Sequence, residues 1–362
     1  MGNSIGKLFR ITSFGESHGR CVGIIVDGCP AGLSLNEEDI QKEIEKRKPG
    51  IAGTTGRLER DKVEINSGVF NGFTTGAPIC LLLRNEDIDS SEYINNRMKP
   101  RPGHADYTAF MKYGGFNDYR GGGRFSGRIT AGFVMAGAIA KILLNTINVE
   151  VVAHTVKIGG VIAEKQDLNV IRDNVSKNYI RCADLKSAKE MAALIEEAKS
   201  VGDSIGGVIE GIAINLPVGL GEPVFDTLEG DLSKALFAIP AVKGVEFGSG
   251  MASATKKGSE NNDSFMLDNG RVVTRTNNSG GILGGISNGM TLELRIAIKP
   301  TASIAKKQQT VDMSKFEEVE VSTKGRHDSC IVPRAVVVVE SMMAIVLCDF
   351  AMRAGLLRRI LK

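Results

Sequence analysis

The segment from Arg128 to Asn145, RITAGFVMAGAIAKILLN, constrains the fold more than any other part of the chain. Its glycine and alanine content lets a helix pack closely against its neighbours, so we predict a helix buried inside the molecule. The segment from Thr291 to Lys299, TLELRIAIK, alternates apolar and polar residues and predicts a strand with one face on the core. Helices and strands interleave without a regular βαβ rhythm. We therefore expect an α+β fold of packed layers, formed as a single domain.

Three further helices are expected. One covers Asn36 to Arg47, because Ser34 to Glu37 offers a capping box and Pro49-Gly50 would stop the helix. An amphipathic helix is predicted from Leu185 to Ser200, and another from about Asp231 to Ile239.

Two other segments need an interpretation. Val336 to Phe350, VVVVESMMAIVLCDF, is strongly apolar, but Glu340 and Asp349 interrupt it and it is too short for a membrane span. We predict a buried strand that runs into a core helix. Ala254 to Asn278 is long and polar, and we expect a loop that is mobile without a ligand or partner subunit.

Charge and cysteine content disfavour several classes of protein. The net charge of +3 is too small for a nucleic-acid footprint, and there is no run of five or more like charges. The six cysteines form no C-x-x-C pair, so we expect reduced, mostly buried thiols and a cytoplasmic protein. A charged-then-apolar leader is absent, and we expect no membrane partner. The His, Cys and Asp residues lack the spacing of metal ligands.

The stretch Phe14 to Arg20, FGESHGR, fits the G-x-S-x-G pattern of a hydrolase nucleophile elbow. That elbow needs a strand before the serine and a helix after it. Here strand-forming residues flank the motif on both sides, Lys7 to Thr12 and Cys21 to Gly28, which predicts a hairpin with Ser17 in its turn. A serine hydrolase is disfavoured. A purely structural turn stays open, and an active-site loop of another kind is preferred.

Three of the four histidines lie in dense polar motifs, at His18, His104 and His327. The fourth, His154, lies in VVAHTVK and is interpreted as a structural residue. The Gly, Ser, Arg and Asp neighbours of His18 and His104 would tune their charge state near neutral pH. We therefore predict that these two side chains are acids.

The stretch Tyr119 to Arg128, YRGGGRFSGR, places three glycines among arginines just before the predicted buried helix. Exposed backbone N–H groups, guanidinium groups and a helix N-terminus all favour a phosphate or carboxylate cradle. A flexible glycine turn is the alternative. SGGILGG (Ser279 to Gly285) would let a flat ligand approach the backbone, and KPTAS (Lys299 to Ser303) adds donors for phosphate. Further arginines in motif-like surroundings are Arg47, Arg101, Arg326 and Arg334. The substrate should carry several negative charges.

In this order, the motifs FGESHG, VDGCPAG, RPGHADYT, YRGGGR, GEPVFD, AVKGVE, GGILGGISNG, KPTAS and KGRHDSC resemble those of the chorismate synthase family. The resemblance implies an anti 1,4-elimination of phosphate from 5-enolpyruvylshikimate 3-phosphate, which gives chorismate for aromatic amino acid synthesis. It also implies a requirement for reduced FMN without net oxidation. The implied fold is a βαβ sandwich, a helical layer between two mainly antiparallel sheets, assembled as a homotetramer. The chain leaves no room for an added flavin reductase domain, so an external reductant would supply reduced flavin.

The resemblance also implies residue roles. His18 would assist the departing phosphate, His104 would protonate the reduced flavin, and Asp328 would lie near flavin N5, where hydrogen leaves the substrate ring. The substrate-binding residues would be Ser17, Arg47, Arg101, Ser126, Arg128 and Arg326. The flavin-binding residues would be Arg124, Phe125, Ser126, Gly284, Lys299, Pro300, Thr301, Ala302, Ser303 and Arg326, with Pro240 and Ala241 contributed through the tetramer.

Three positions depart from the family pattern: Phe125 replaces a usual serine, Pro240 a common asparagine, and Gly53 an arginine that many relatives use for the substrate. We expect Arg57 to compensate for Gly53, and Arg60 to be a solvated residue paired with Glu59 or Asp61. A rival class is an NADPH-dependent flavin reductase, or a flavin-binding protein without lyase activity. Either would need phosphate cradles, but not two acids beside many arginines.

Overall fold

A computed structural model describes residues 2–48, 60–323 and 328–361 of the chain. Its helices are α1 (Glu37–Arg47), α2 (Ser91–Asn95), α3 (Asp106–Tyr113), α4 (Thr130–Asn145), α5 (Leu168–Asn174), α6 (Leu185–Ser200), α7 (Leu228–Phe237), α8 (Gly258–Asn261) and α9 (Val332–Arg353). Its strands are β1 (Ser4–Ile5), β2 (Arg10–Gly15), β3 (Cys21–Asp27), β4 (Glu64–Ser67), β5 (Val69–Phe70), β6 (Phe73–Thr74), β7 (Ile79–Arg84), β8 (Glu150–Ile158), β9 (Val161–Ile162), β10 (Gly207–Ile214), β11 (Val242–Phe247), β12 (Phe265–Asp268), β13 (Arg271–Thr274), β14 (Ile282–Leu283), β15 (Ile286–Ser287), β16 (Leu292–Ile298), β17 (Gln308–Asp312) and β18 (Glu317–Val321).

Two five-stranded antiparallel sheets enclose a layer of helices. The strand order is β1-β2-β3-β7-β4 in the first sheet and β11-β16-β10-β8-β9 in the second. Helix α4 packs on β3 and β7 of the first sheet, and α9 packs on β8 and β10 of the second. The two helices also pack against each other. This arrangement confirms the predicted α+β fold with a helical layer between two antiparallel sheets.

Helix α4 is buried, as the sequence predicts, with 13 of its 16 residues inaccessible to solvent. A 3₁₀ turn, Gly127–Ile129, leads directly into it. At Gly137 the helix comes so close to α9 that an added β-carbon would lie 2.2 Å from the β-carbon of Ser341. Only glycine permits this crossing, because closely packed helices leave no volume there for a side chain.

The prediction of a strand at the start of Val336 to Phe350 is wrong, because the whole segment lies within α9. Its β-branched residues favour a strand locally, but burial on nearly all sides stabilises the helix and outweighs that weak preference. Among the described residues, two stretches are long and apolar enough to cross a membrane: Gly127–Asn145, which includes α4, and Val332–Arg353, which is α9. Their apolar segments are 83% and 89% buried inside the molecule. They are core helices.

Local signals placed the other helices well. Helix α6 spans the predicted residues, and α7 begins three residues before its predicted start because Thr227 caps it with a hydrogen bond from Gly230 N to its Oγ1. Helix α1 has a capping box two residues further along than expected. Asn36 Oδ1 accepts from Asp39 N at 3.0 Å, and Asp39 Oδ2 accepts from Asn36 N at 3.2 Å.

The segment from residue 254 to 278 is more structured than predicted. It contains α8 and the β12–β13 hairpin. Asp263 closes the base of this hairpin, since its carboxylate accepts from Thr276 Oγ1 and from the backbone of Asn278 and Ser279. Polar composition suggested an irregular loop, but these hydrogen bonds supply order that apolar burial does not.

All six cysteines carry free thiols, and Cys29, Cys182, Cys330 and Cys348 are buried. Burial raises the pKa of the Cys29 and Cys330 thiols to about 12, so they stay protonated at neutral pH. The expectation of reduced, mostly buried thiols is confirmed.

Candidate active site

Ser17 and His18 lie in the turn of the β2–β3 hairpin. The two strands pair antiparallel from Arg10 opposite Asp27 to Gly15 opposite Val22. A strand follows Ser17 where a nucleophile elbow needs a helix, so the predicted hairpin is confirmed and the elbow is excluded. Ser17 is buried, and its N–H donates to the carbonyl of Gly123 at 3.2 Å. The serine is thereby fixed against the glycine-rich loop.

That glycine-rich loop supports both predicted acids. A β-carbon added at Gly121 would lie 2.4 Å from Nε2 of His18, and one added at Gly122 would lie 3.2 Å from Nε2 of His104. The φ angles of the two glycines are 58° and 81°, in the left-handed region. Glycine is required here because the backbone contacts the Nε2 edges of two imidazole rings at successive residues.

The flanking arginines of this loop do not act alike. Arg120 donates from Nε and Nη2 to Asp118, both at 2.8 Å, and it does not line the cavity described below. Arg124 lines the cavity, but its guanidinium donates to the carbonyls of Gly15 and Ser13. The loop therefore supports side chains of the site, and the phosphate or carboxylate cradle stays a prediction.

Besides Gly121, His18 contacts Ser90 and Tyr93. Its Nδ1 lies 2.9 Å from Ser90 Oγ, and its ring packs edge-on against Tyr93 with centroids 5.4 Å apart. Tyr93 also lies under the guanidinium of Arg101, at 5.3 Å from ring centroid to Cζ. One aromatic ring thus orients both a predicted acid and a predicted substrate ligand.

Arg101 and His104 form the other half of the site, with Asp106 beside them. Arg101 donates from Nη1 to Ser303 Oγ at 2.9 Å and from Nε to Asp106 Oδ2 at 2.7 Å. Nδ1 of His104 lies 2.7 Å from Asp106 Oδ1. Burial works to raise the pKa of Asp106, but hydrogen bonds from Arg101 and His104 outweigh it and hold that pKa well below its usual range. The carboxylate is therefore ionised.

Three arginines and two aspartates crowd the opposite wall. Arg128 Nη1 donates to Asp61 Oδ1 at 2.5 Å, and Arg334 Nη1 donates to Asp328 Oδ2 at 2.5 Å. Burial, followed by repulsion from Arg334 and Arg128, lowers the pKa of Arg47 to about 9. The positive charge of Arg47 is held at an energetic cost, which a bound anion would offset.

The KPTAS segment and the end of α7 close a further side. Lys299 donates from its backbone N to the carbonyl of Ala241 and from Nζ to the carbonyl of Gly103, both at 2.9 Å. Burial, with Lys243 nearby, lowers the pKa of Lys299. Thr301 Oγ1 donates to the carbonyl of Asp328 at 3.0 Å. The segment therefore connects the His104 region to the Asp328 region.

These elements enclose a cavity of about 830 Å³. The predicted site residues that line it are Ser17, His18, Arg47, Arg101, His104, Arg124, Phe125, Ser126, Arg128, Pro240, Ala241, Lys299, Pro300, Thr301, Ala302, Ser303 and Asp328. Pro240 and Ala241 line it from the same chain, and their contribution through a tetramer stays a prediction. Gly284 lies at the β14–β15 turn, away from this cavity. Arg326, with Gly53, Arg57 and His327, lies outside the described residues.

Sequence reasoning missed several lining residues. Asp61 was expected to pair with Arg60, but it is buried against Arg128, and Arg60 instead lies 3.6 Å from Glu86. Tyr93 and Ser90 carry no sequence signal, because only the fold brings α2 beside the hairpin turn. Arg334 stood out as an arginine in a motif-like context, and the structure places it in the cavity.

The structure describes no cluster of three or more His, Cys, Asp or Glu side chains with metal-binding geometry in residues 2–48, 60–323 and 328–361. Within the same residues it does describe a cavity lined by two histidines, five arginines, two lysines and five carboxylates. Such a cavity defines the class of protein as an enzyme that acts on an anionic small molecule.

Comparison with known proteins identifies the enzyme family. The family model described as chorismate synthase matches residues 9–352. The chorismate synthase of Dehalococcoides mccartyi (strain BAV1) is 60% identical over 363 residues, covering 100% of both chains. That of Korarchaeum cryptofilum is 54% identical over 98% of both chains. A crystal structure of chorismate synthase superposes with a TM-score of 0.76 at 30% identity, covering 97% of this chain and 93% of the other. The chain belongs to the chorismate synthase family.

Proposed function

We propose that this protein catalyses the anti 1,4-elimination of phosphate from 5-enolpyruvylshikimate 3-phosphate to give chorismate, with reduced FMN as cofactor. It would thus be a carbon–oxygen lyase in the last common step of aromatic amino acid biosynthesis. The observation that carries the proposal is the placement of His18 and His104 against successive glycines of one loop, facing a cavity crowded with arginines.

The charge of the site suits this substrate, which carries a phosphate and two carboxylates. Arg47, Arg101 and Arg128 would hold these groups, since guanidinium binds such oxyanions by paired hydrogen bonds. Ser17 and Ser126 would donate beside them. The lowered pKa of Arg47 supports this role, because an anion would relieve the repulsion among the neighbouring cations.

The residues present also fit a flavin. The cavity volume of about 830 Å³ falls in the range of roughly 300–1,000 Å³ typical of small-molecule sites. Arg124, Lys299 and the hydroxyl group of Ser303 offer donors, and Phe125 offers a flat apolar surface that is 38% exposed. When bound, reduced FMN would supply the redox-active group for an elimination with no net oxidation.

In the proposed reaction the C–O bond to phosphate and a C–H bond of the ring break, and a new double bond forms. Phosphate leaves with the electron pair of the C–O bond, and His18 would give it a proton. The electron pair of the C–H bond would form the new double bond, and Asp328, held by Arg334, would lie where the proton leaves the ring and would accept it. His104 would set the protonation of the flavin through its Nε2 edge.

The rival class is a flavin reductase or a flavin-binding protein without lyase activity. Such a protein would use phosphate cradles and glycines, but it would not need two histidines on one glycine loop. Family membership and this pair of histidines together favour the lyase.

The decisive experiment adds 5-enolpyruvylshikimate 3-phosphate to the protein and chemically reduced FMN without oxygen, and measures phosphate and chorismate. We expect both products in equal amounts. His18→Ala and His104→Ala should each lower turnover by about 10²-fold with FMN binding largely intact, whereas His154→Gln, outside the cavity, serves as the control. A second assay supplies NADPH and oxidised FMN, and oxidation of NADPH there, without chorismate formation in the first assay, would instead identify the rival.

We also propose a single domain over residues 1–362 that assembles as a homotetramer in the cytoplasm and takes reduced flavin from an external reductant. Large exposed apolar side chains, such as Phe116 at 95% and Phe225 at 94%, suit contacts between subunits. Sedimentation equilibrium of the purified protein tests the assembly, and a monomer at micromolar concentration would contradict it.

A further inference from the structure

Asp106 lies at the start of α3 and holds two site residues at once. Its Oδ2 accepts from the backbone N of Arg101 at 3.0 Å and from Nε of Arg101 at 2.7 Å. Its Oδ1 accepts from Nη2 of Arg101 at 2.8 Å and lies 2.7 Å from Nδ1 of His104. Asp106 is not among the residues that line the 830 Å³ cavity, so it would act through these two neighbours.

The contact with His104 selects one arrangement of its ring protons. An ionised carboxylate only accepts hydrogen bonds, so Nδ1 of His104 must carry a proton. In the neutral ring Nε2 is then the unprotonated nitrogen, and it lies against Gly122. In the charged ring the proton on Nε2 is the one available for transfer, because Asp106 holds the other.

The same carboxylate fixes Arg101. It binds Nε and Nη2 in the side-by-side geometry that guanidinium and carboxylate groups prefer, and it also binds the backbone of that residue. Nη1 is left pointing to Ser303 on the KPTAS segment. Asp106 therefore sets the direction in which Arg101 presents its remaining donors.

The charges around His104 oppose each other. Arg101 Nη2 lies 3.1 Å from Nδ1 and 3.3 Å from Nε2 of the ring, and Lys299 Nζ donates to the nearby carbonyl of Gly103. Arg101 thus places positive charge beside the ring, and the Asp106 carboxylate is the counter-charge in contact with it.

We propose that Asp106 is a positioning residue that fixes the proton-bearing nitrogen of His104 and the direction of the Arg101 guanidinium with one carboxylate. The catalytic role of His104 rests on the proposed function above. The contact between Nδ1 of His104 and Oδ1 of Asp106 does not depend on that function.

The first test uses the folded wild-type protein and needs no turnover. With ¹⁵N-labelled histidine there are four histidine side chains to resolve, and the signal of His104 is assigned by its loss in His104→Asn. We expect the Nδ1–H form for neutral His104. An Nε2–H form would overturn the proposal.

The second test uses Asp106→Asn, whose amide can donate to Nδ1 and so favours the opposite form of the ring. We expect turnover to fall at least about tenfold, within the range for impaired acid catalysis, and the alkaline limb of the rate profile to move to lower pH. A merely structural role would lower thermal stability without moving that limb. Asp106→Glu, which keeps the charge, should recover part of the turnover and return the limb towards its wild-type position.

The matched control is Glu150→Gln, which removes another carboxylate that binds an arginine, Arg172, through two oxygens, with Nε to Oε1 at 2.9 Å. It lies away from the cavity and should leave turnover and the pH limb unchanged. Wild-type turnover and an unmoved limb in Asp106→Asn would refute the proposal. If that variant does not fold, the labelled wild-type protein and Asp106→Glu decide the matter. Absence of chorismate formation by the wild type would overturn the proposed function while leaving the histidine test intact.

Discussion

Arg334, in the first turn of α9, donates from Nη1 to Oδ2 of Asp328 across 2.5 Å, and its Nε donates to the backbone carbonyl of Arg47 at 3.3 Å. One guanidinium thus joins the carboxylate proposed to lie near flavin N5 to the helix that carries a proposed substrate ligand. Asp328 is 9% exposed, so this ion pair is largely shielded from water.

We expect Arg334→Gln to lower turnover and stability together. The substitution leaves Asp328 with less compensation for its buried charge, and breaking such a pair costs up to about 3 kcal/mol. Urea denaturation and steady-state kinetics measure the two effects. Arg60→Gln is the control, because Arg60 is highly exposed and its carboxylate partner lies at 3.6 Å. Unchanged kinetics in Arg334→Gln would show that Asp328 is held by other groups.

Gly121→Ala should impair catalysis more than stability. Its β-carbon would press on the ring of His18 at 2.2 Å, whereas Gly270 has a similar positive φ of 76° with no atom within 4 Å of an added β-carbon. Both substitutions incur the left-handed strain of about 1 kcal/mol, so Gly270→Ala controls for it. We expect turnover to fall only in Gly121→Ala. Equal turnover in the two variants would mean that the ring of His18 moves aside freely.

Ser17→Ala should weaken substrate binding about fivefold, or about 1 kcal/mol, as for the loss of one hydrogen bond. The hairpin geometry supports binding and not nucleophilic attack, because no elbow lifts the hydroxyl. The KM for substrate and labelling by a serine-reactive phosphonate are the measurements. Complete inactivation of the variant, together with labelling of the wild type, would support the interpretation of Ser17 as a nucleophile.

Glu43→Gln should destabilise the protein in a pH-dependent way. Burial works to raise the pKa of Glu43, but Lys141 and Lys46 outweigh it and lower that pKa. A carboxyl group with a lowered folded-state pKa contributes stability above its unfolded pKa of about 4.3, and that contribution is lost as pH falls through the folded value. Urea unfolding of wild type and variant should differ at pH 7, and the difference should disappear as the pH falls below the folded-state pKa of Glu43.

The control for this prediction is on the same helix. Glu45 pairs with Lys48 at 2.6 Å but is half exposed, so Glu45→Gln should have little effect at any pH. A constant difference between wild type and Glu43→Gln from pH 7 to pH 3 would exclude an ionic origin and point to packing.

Elements with a strong local signal were predictable from the sequence. Helix α6 has an apolar stripe and a cap at Asp184, and its bounds match the prediction. The β2–β3 hairpin and strand β16 follow from residue alternation, which depends only on neighbouring positions. The predicted site residues carried signals of the same kind, since glycines, arginines and histidines cluster in short motifs.

What the tertiary structure decided were the relationships between distant segments. Four consecutive valines are helical because α9 is buried between two sheets. The local preference of valine for strands carries no information about that burial. Asp61 pairs with Arg128 across 67 positions, and Tyr93 meets His18 from another element. Charge pairing and ring contacts depend on distance in space, which the fold alone sets. The sequence by itself therefore determined which chemical groups the site holds, and packing determined which of them touch.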